Sequence, residues 1–484
     1  MRSPAAVMVA LFLCASSSEA YAPASPSPIQ DEQQPGQRIV GSWIGTLQIG
    51  PSQLRIVFNI EADSAGALSA TLDSPDQGAK GIPVSGVVLH GDSLMLGVLA
   101  VGGGYAGRLE AGDTTVTGTW RQGGMSLPLV VRRSTKPPAL ARPQTPVPPY
   151  PYREEEVSYE SLSPGIRLTG GLTIPPGNGP FPAIILISGS GAQDRDETIF
   201  GHKPFLVLAD ALTRRGCAVL RVDDRGVGGS TGSTMTATIE DLVRDVMAGV
   251  RYLKGRRDIA AAHIGLIGHS EGGLVAPIAA SRSDEIAFIG LLAAPGVPGD
   301  QILLRQTSDV LRSMGASDAD IEHARTTNAR LYEAMNTEKD STLLAQKLRT
   351  ILNESGAGKS VDGQENEPAS RAAIDGQVAM LTSPWFRFFV GYDPRPALRS
   401  VTCPVLVLHC EKDIQVAAGE NQKEILQALT EGGNSKVRAS ILPGLNHLFQ
   451  TAQTGAIGEY GTIEETFAPA ALEAIGSWTG VVTR

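Results

Sequence analysis

Ser270 is the residue of this chain best placed to act as a nucleophile. It sits in Gly268-His269-Ser270-Glu271-Gly272, between the compact apolar run Ile264-Gly265-Leu266-Ile267 and a small-residue helical stretch, Gly273 to Ala280. A serine on a strand-to-helix turn, with glycines two before and two after, fits a nucleophile elbow. The glycines are expected on steric grounds, because the tight turn leaves no room for side chains on the flanking backbone. The start of the helix also aims backbone N–H groups at the place where an oxyanion would form. The five-letter pattern alone is weak, since Gly228-Gly229-Ser230-Thr231-Gly232 matches it too. That copy lies several residues beyond the apolar run Ala218 to Val222, and no helical pattern resumes until about Thr236. Ser230 therefore reads as a loop serine.

An elbow serine needs a base and an acid, which follow it in the order Ser, Asp/Glu, His. The chain has 7 histidines. His90, His202, His263 and His269 precede Ser270, His323 lies in a polar helical stretch, and His409 ends an apolar run. His447 is left, delivered on a loop by the β-type run Val437 to Leu442 and the turn at Pro443-Gly444. The acid is expected after the preceding strand pattern, Cys403 to His409. Asp413 is the choice there and Glu411 the alternative. Such an acid holds the imidazole in the right tautomer and stabilises the imidazolium. An oxyanion hole needs two convergent donors. The backbone N–H of Glu271 is one, and Ser190 or Gly191 supplies the other from the turn Ser188-Gly189-Ser190-Gly191 after the run Ala183 to Ile187. A phosphate loop is a poor reading of that turn, because no Lys-Ser/Thr pair closes it.

Taken together, Ser188 to Asp196, Asp223 to Ser230, the Gly268 to Gly272 elbow, Asp413 with its strand, and Asn446-His447 resemble secreted or periplasmic bacterial α/β-hydrolases of the EstD-like esterase type. These are related in turn to serine aminopeptidase-like hydrolases. The resemblance covers roughly residues 153 to 484, and more loosely the N-terminal region. It implies Ser270, Asp413 and His447 as the triad, with Ser190 and Glu271 as oxyanion donors. Ser188 departs from the pattern, since many relatives carry histidine before that glycine; its side chain is not the donor. Asp223, Asp224 and Arg225 read as structural loop residues.

The elements that must position these groups follow from pattern. At 484 residues the chain is too long for one ordinary core, so two domains are expected. Residues 39 to 134 read as all-β, with short strands between Gly and Asp turns that suggest a small barrel or sandwich. Thr135 to Tyr152 holds seven prolines and reads as a stiff extended connector. From 153 to 484 strands and helices alternate, which predicts a parallel sheet with helices on both faces; the resemblance implies that this is an α/β-hydrolase fold. Between about 297 and 395 the alternation breaks, and helical periodicity over Gln301–Met314, Asp318–Met335 and Thr342–Ser355 predicts a helical cap. Trp385, Phe386, Phe388, Phe389 and Tyr392 concentrate aromatic surface in one short segment; Trp385, Phe386 and Phe389 are candidates for an acyl pocket.

Composition narrows the classes. A net charge of −9, with no basic run, argues against a nucleic-acid surface. Arg2, the apolar run Ala5 to Ala15 and the small residues Ser18-Glu19-Ala20 read as a signal peptide over residues 1–20, with a cut after Ala22 as an alternative. Cys14 follows bulky Leu13 and fits a lipoprotein site poorly. Export to the periplasm or beyond is expected, with no membrane span elsewhere. Cys217, Cys403 and Cys410 are odd in number, and one strand separates the last two by roughly 20 Å; no disulfide framework, metal site or cofactor is expected. The expected activity is that of a serine carboxylesterase acting on a small-molecule ester. An aminopeptidase or amidase with the same triad, an acyltransferase, and a non-enzymatic surface-binding protein are the rivals; oligomeric state is not legible.

Overall fold

The computed structural model describes residues 35–49, 52–63, 65–75, 79–122, 125–135, 141–355 and 367–484. The signal segment expected over 1–20 lies outside the described residues. Two compact units divide the chain, one ending at Ala141 and the other holding Arg142–Gly358 and Glu367–Arg484.

The first unit is an antiparallel sheet of nine strands: β1 (Gly41–Ile49), β2 (Ser52–Ala62), β3 (Leu68–Ser74), β4 (Ala79–Pro83), β5 (Gly86–His90), β6 (Ser93–Val98), β7 (Gly103–Leu109), β8 (Thr115–Gln122) and β9 (Met125–Ser134). Their order is β4-β3-β2-β1-β9-β8-β7-β6-β5. Strands β4 and β5 stand at opposite ends of that order, yet only Val84 and Ser85 separate them. Because so short a link spans no more than about 10 Å, the sheet must curl round on itself. Val84 N donates to Ala70 O at 3.0 Å and Ser85 N to Gly97 O at 2.7 Å, joining the link to β3 and β6. Trp43, Phe58, Tyr105 and Trp120 fill the interior. The Tyr105 hydroxyl donates to Val116 O at 3.0 Å and Trp43 Nε1 to Ile39 O at 2.7 Å, so both polar ends are satisfied.

The second unit is built on eight strands: β10 (Arg153–Glu160), β11 (Arg167–Ile174), β12 (Phe181–Ile187), β13 (Ala218–Val222), β14 (Ile259–His269), β15 (Phe288–Leu292), β16 (Val405–Cys410) and β17 (Val437–Leu442). The order is β10-β11-β13-β12-β14-β15-β16-β17. The pairs β10/β11 and β11/β13 are antiparallel, and every pair from β13 to β17 is parallel. Central strands of such a sheet are covered on both faces, which is why Ile184 to Ile187 and Val405 to Leu408 read as unbroken apolar runs. Helices α2 (Ile239–Lys254) and α3 (Gly272–Arg282) cover one face, together with α10 (Ala418–Glu431). Helices α1 (Pro204–Thr213) and α11 (Pro469–Val482) cover the other. Ahead of α2, Thr238 and Asp241 form a reciprocal capping box that fixes where the helix starts.

Between β15 and β16 the chain leaves the sheet for α4 (Gly299–Ser313), α5 (Asp318–Thr337), α6 (Ser341–Glu354), α7 (Glu367–Leu381), α8 (Pro384–Gly391) and the single turn α9 (Arg395–Arg399). Ser317, Asp340 and Ser383 cap α5, α6 and α8 with side-chain oxygens. Leu331, Leu344, Leu348, Val378, Phe386 and Val390 close the core of this helical cap. Helices α7 and α8 lie beyond the three expected from periodicity.

The described part of the proline-rich stretch, from Arg142 to Tyr152, is hydrogen-bonded to the α/β unit. Arg142 donates to the carbonyls of Ile463 (2.8 Å), Phe200 (2.8 Å) and Gly461 (2.9 Å). Gln144 bonds Phe467 O at 2.8 Å and accepts from Thr466 N at 2.6 Å, and the Tyr152 hydroxyl donates to Asp210 at 2.8 Å. From Arg142 onward the segment is part of the α/β unit. Polar side chains hold it there, and proline content does not reveal them. Among the described residues, no helix is long and apolar enough to cross a membrane, and Cys217, Cys403 and Cys410 are free thiols.

Candidate active site

Ser270 occupies the turn between β14 and α3 with φ at +51°. A non-glycine residue is held in that left-handed region only where its surroundings determine it. Ser270 N donates to Leu292 O and Gly273 N to Ser270 O, both at 2.9 Å. The two elbow glycines have the steric cause expected. A Cβ on Gly268 would stand 2.0 Å from Gly272 O, and one on Gly272 would stand 2.2 Å from Ile187 O. Ser270 is half-buried. The second serine, Ser230, is buried; its Oγ accepts from Thr169 N at 2.9 Å and donates to Asp223 O at 2.7 Å. It stitches a loop to β11.

His447 and Asp413 meet at the ends of β17 and β16. His447 Nδ1 lies 2.7 Å from Asp413 Oδ2, with both side chains almost fully buried. Asp413 Oδ1 accepts from Gln415 N (2.8 Å) and Val416 N (2.9 Å), which fixes the carboxylate plane. Glu411 is turned elsewhere and accepts from Gly444 N at 2.8 Å. The His447 loop is itself pinned. Asn446 Oδ1 accepts from Leu448 N and Gln450 N, each at 3.0 Å. Burial, with Arg142 beside it, lowers His202 to about 4; this imidazole bonds Thr466, Tyr460 O and Gln450.

The turn after β12 rests on two acids, Asp224, expected as a structural loop residue, and Glu197, which the sequence does not single out. Asp224 accepts from Ser188 Oγ (3.0 Å) and Gln193 N (2.9 Å), while Glu197 accepts from Gly189 N (2.7 Å). Burial pushes the Asp224 carboxyl up to about 8; the bonds from Gln193 and Ser188 oppose this, and the charges of Glu271 and Glu197 add to it. The neighbouring Asp223 pairs with Arg195 at 2.7 Å, in line with the structural role expected of that stretch. Nothing in local pattern marks Glu197, which follows directly after Ser188 to Asp196 in a run of charged residues.

Glu271, the first residue after the elbow serine, is also buried. Burial raises its carboxyl to about 7, against the pull of hydrogen bonds from Trp385 and Ser190. Trp385 Nε1 on α8 donates to Glu271 Oε1, so the cap reaches the elbow. Of the three pocket candidates, Trp385 is thus brought to the site, with Phe389 stacked on it at 5.7 Å between centroids. Phe386 faces the cap core, 6.4 Å from the Tyr332 ring. Among the described residues, no group of three or more His, Cys, Asp and Glu is placed to hold a metal ion.

The chain is similar to known proteins. Esterase EstD of Thermotoga maritima is 27% identical over 305 residues, which are 62% of this chain and 61% of that protein. An esterase of Pyrococcus furiosus superposes with a TM-score of 0.39 at 16% identity, covering 69% of this chain and 94% of that one. The alpha/beta hydrolase GrgF from a Penicillium species gives a TM-score of 0.41 at 18% identity, covering 61% and 91%. A sequence profile of the alpha/beta hydrolase family matches residues 184–456, more than half of the chain and the whole span from β12 to the His447 loop. The chain belongs to the alpha/beta hydrolase family.

Proposed function

We propose that the protein is a serine carboxylesterase. The observation that supports this reading is the buried His447–Asp413 pair at 2.7 Å, in a fold that also holds Ser270 at φ +51° on a strand-to-helix turn. In the proposed reaction Ser270 Oγ attacks the ester carbonyl and His447 takes its proton. Backbone N–H groups of Glu271 and of Ser190 or Gly191 stabilise the oxyanion. His447 then returns the proton to the departing alcohol. Water, activated by the same imidazole, cleaves the acyl-enzyme and releases the acid. Likeness to Esterase EstD supports the ester as substrate class.

An amidase or aminopeptidase needs an anionic pocket for the substrate amine. Glu271 is the nearest acid in sequence to Ser270, but Trp385 and Ser190 already engage its carboxyl and burial favours its neutral form. That favours the ester reading. The test is a panel of p-nitrophenyl esters and aminoacyl anilides on purified protein, with Ser270→Ala as control. Ester turnover lost in the variant supports the proposal; anilide turnover exceeding ester turnover rejects it.

A further inference from the structure

Two buried side chains beside the elbow have no part in the steps above. Glu197 sits at φ +52° in the loop after β12, and His269 is the last residue of β14. Both are more than nine-tenths buried. Glu197 Oε1 accepts from Gly189 N at 2.7 Å and faces His269 Nδ1 at 2.9 Å. The other imidazole nitrogen, Nε2, lies 3.0 Å from the main-chain carbonyl of His447. The two rings are 4.9 Å apart.

These contacts fix the proton count. A carbonyl oxygen only accepts, so Nε2 must carry hydrogen. If Nδ1 carried none, its lone pair would face a carboxylate oxygen, which is repulsive; a proton must lie between Nδ1 and Oε1 as well. Oε1 already accepts the Gly189 N–H, so a hydrogen carried on that same oxygen would crowd the amide hydrogen. The second proton therefore belongs on the imidazole, which donates from both nitrogens at once.

We propose that Glu197 and His269 form an imidazolium–carboxylate positioning couple that ties the oxyanion turn and the base-bearing loop to the nucleophile strand. Three segments distant in sequence are joined by it: Gly189 after β12, His269 at the end of β14, and His447 after β17. It rests on the reading of His447 as the base. The surrounding charges agree. Burial opposes the charged imidazole, but Glu197, the His447 carbonyl and Asp413 together raise His269 above its ordinary value. Burial pushes Asp224 towards its neutral form, and the charges of Glu271 and Glu197 add to that. The other titratable group facing His269 is the His447 ring itself.

The couple acts through others, so its signature is in kcat and in the alkaline limb. When the imidazolium loses a proton, one of its two bonds is forfeited. The test measures kcat and KM against pH for p-nitrophenyl butyrate in wild type, Glu197→Gln, His269→Gln, the double variant and His447→Ala. His269→Gln should lose about 10- to 100-fold in kcat, the worth of one charge-assisted hydrogen bond, because its single carboxamide NH₂ cannot serve both acceptors. Glu197→Gln can donate its NH₂ to Nδ1 of a neutral imidazole and keep all three bonds, so it should hold kcat within a few-fold and lose the alkaline limb. KM should stay within about twofold, since no substrate contact is removed. In the double variant, the Gly189 amide can donate to the carboxamide oxygen introduced by Glu197→Gln, and the NH₂ of that carboxamide to the oxygen introduced by His269→Gln. The NH₂ of the second carboxamide then donates to the His447 carbonyl. All bonds are remade without a titrating group, so kcat should recover relative to His269→Gln and the alkaline limb should disappear. His269→Gln at wild-type kcat, or Glu197→Gln with an unmoved alkaline limb, alongside an inactive His447→Ala, overturns the couple alone. An active His447→Ala overturns the base assignment and the couple with it. Should the singles fail to fold, nitrogen-15 shifts of labelled histidine in the wild type decide. Two protonated nitrogens on His269 at neutral pH support the couple, and a neutral tautomer overturns it.

Discussion

Trp385 on cap helix α8 donates its indole N–H to the carboxylate of Glu271, the residue that follows Ser270. One hydrogen bond thus joins the inserted helices to the elbow. Phe389 stacks behind the indole at 20°. Replacing Trp385 by alanine should flatten the preference among acetyl, butyryl and octanoyl esters, with each methylene of discrimination worth roughly 1–3 kcal/mol. Comparison of kcat/KM across the three esters checks this. An unchanged profile would mean that the indole only packs the cap.

The acid assignment separates two residues of one loop. Asp413→Asn should lower kcat by about 10⁴, the order seen when an imidazole is left in the wrong tautomer. Glu411→Gln, which touches only the Gly444 amide, should stay near wild type. Steady-state kinetics on both variants decide, and a crippled Glu411→Gln with an active Asp413→Asn would reverse the choice.

Asp224 gives the fold a pH dependence of defined sign. Its folded pKa lies near 8 against an ordinary 3.8. Between those values the unfolded chain has released a proton that the native state keeps, so stability falls as pH rises through the window. Asp224→Asn mimics the neutral form and should lose that slope. Thermal melts from pH 4 to 9 should show the variant gaining on wild type at the alkaline end. Parallel curves would mean that the carboxyl is ionised in the fold.

Ser230→Ala should cost stability while leaving chemistry intact. It strands the Thr169 amide and the Asp223 carbonyl in a buried loop, a loss of about 1–3 kcal/mol. A lowered midpoint with kcat/KM retained per folded molecule is the expected result. Lost turnover in a folded variant would return Ser230 to the site.

Much of this site was legible in the chain because its signals are local. An apolar run ending at a glycine-flanked serine is a property of neighbouring residues. So is an imidazole delivered by a Pro-Gly turn after a β-type run. The same logic gave the sheet, the all-β unit and three cap helices. Glu197 and the role of His269 were not legible, and Asp224 was legible only as a structural loop residue. Glu197 and His269 are 72 positions apart, and their meeting depends on how β12 and β14 pair. His269 was set aside because it precedes Ser270, and only the fold reveals that its two nitrogens face two acceptors. Helix α8 was hidden because its aromatics face both the cap core and the elbow, which blurs any amphipathic period. The docking of Arg142 onto the carbonyls of Phe200, Gly461 and Ile463 leaves no trace in composition either.

The central claim is that Ser270, and no other serine, carries the reaction. The most direct measurement treats the purified protein with a fluorophosphonate ester, maps the modified peptide by mass spectrometry, and repeats the reaction and ester turnover on Ser270→Ala. The account predicts one label per chain on Ser270, and a folded variant that is neither labelled nor active. A label on another serine, or ester turnover retained by Ser270→Ala, would contradict it.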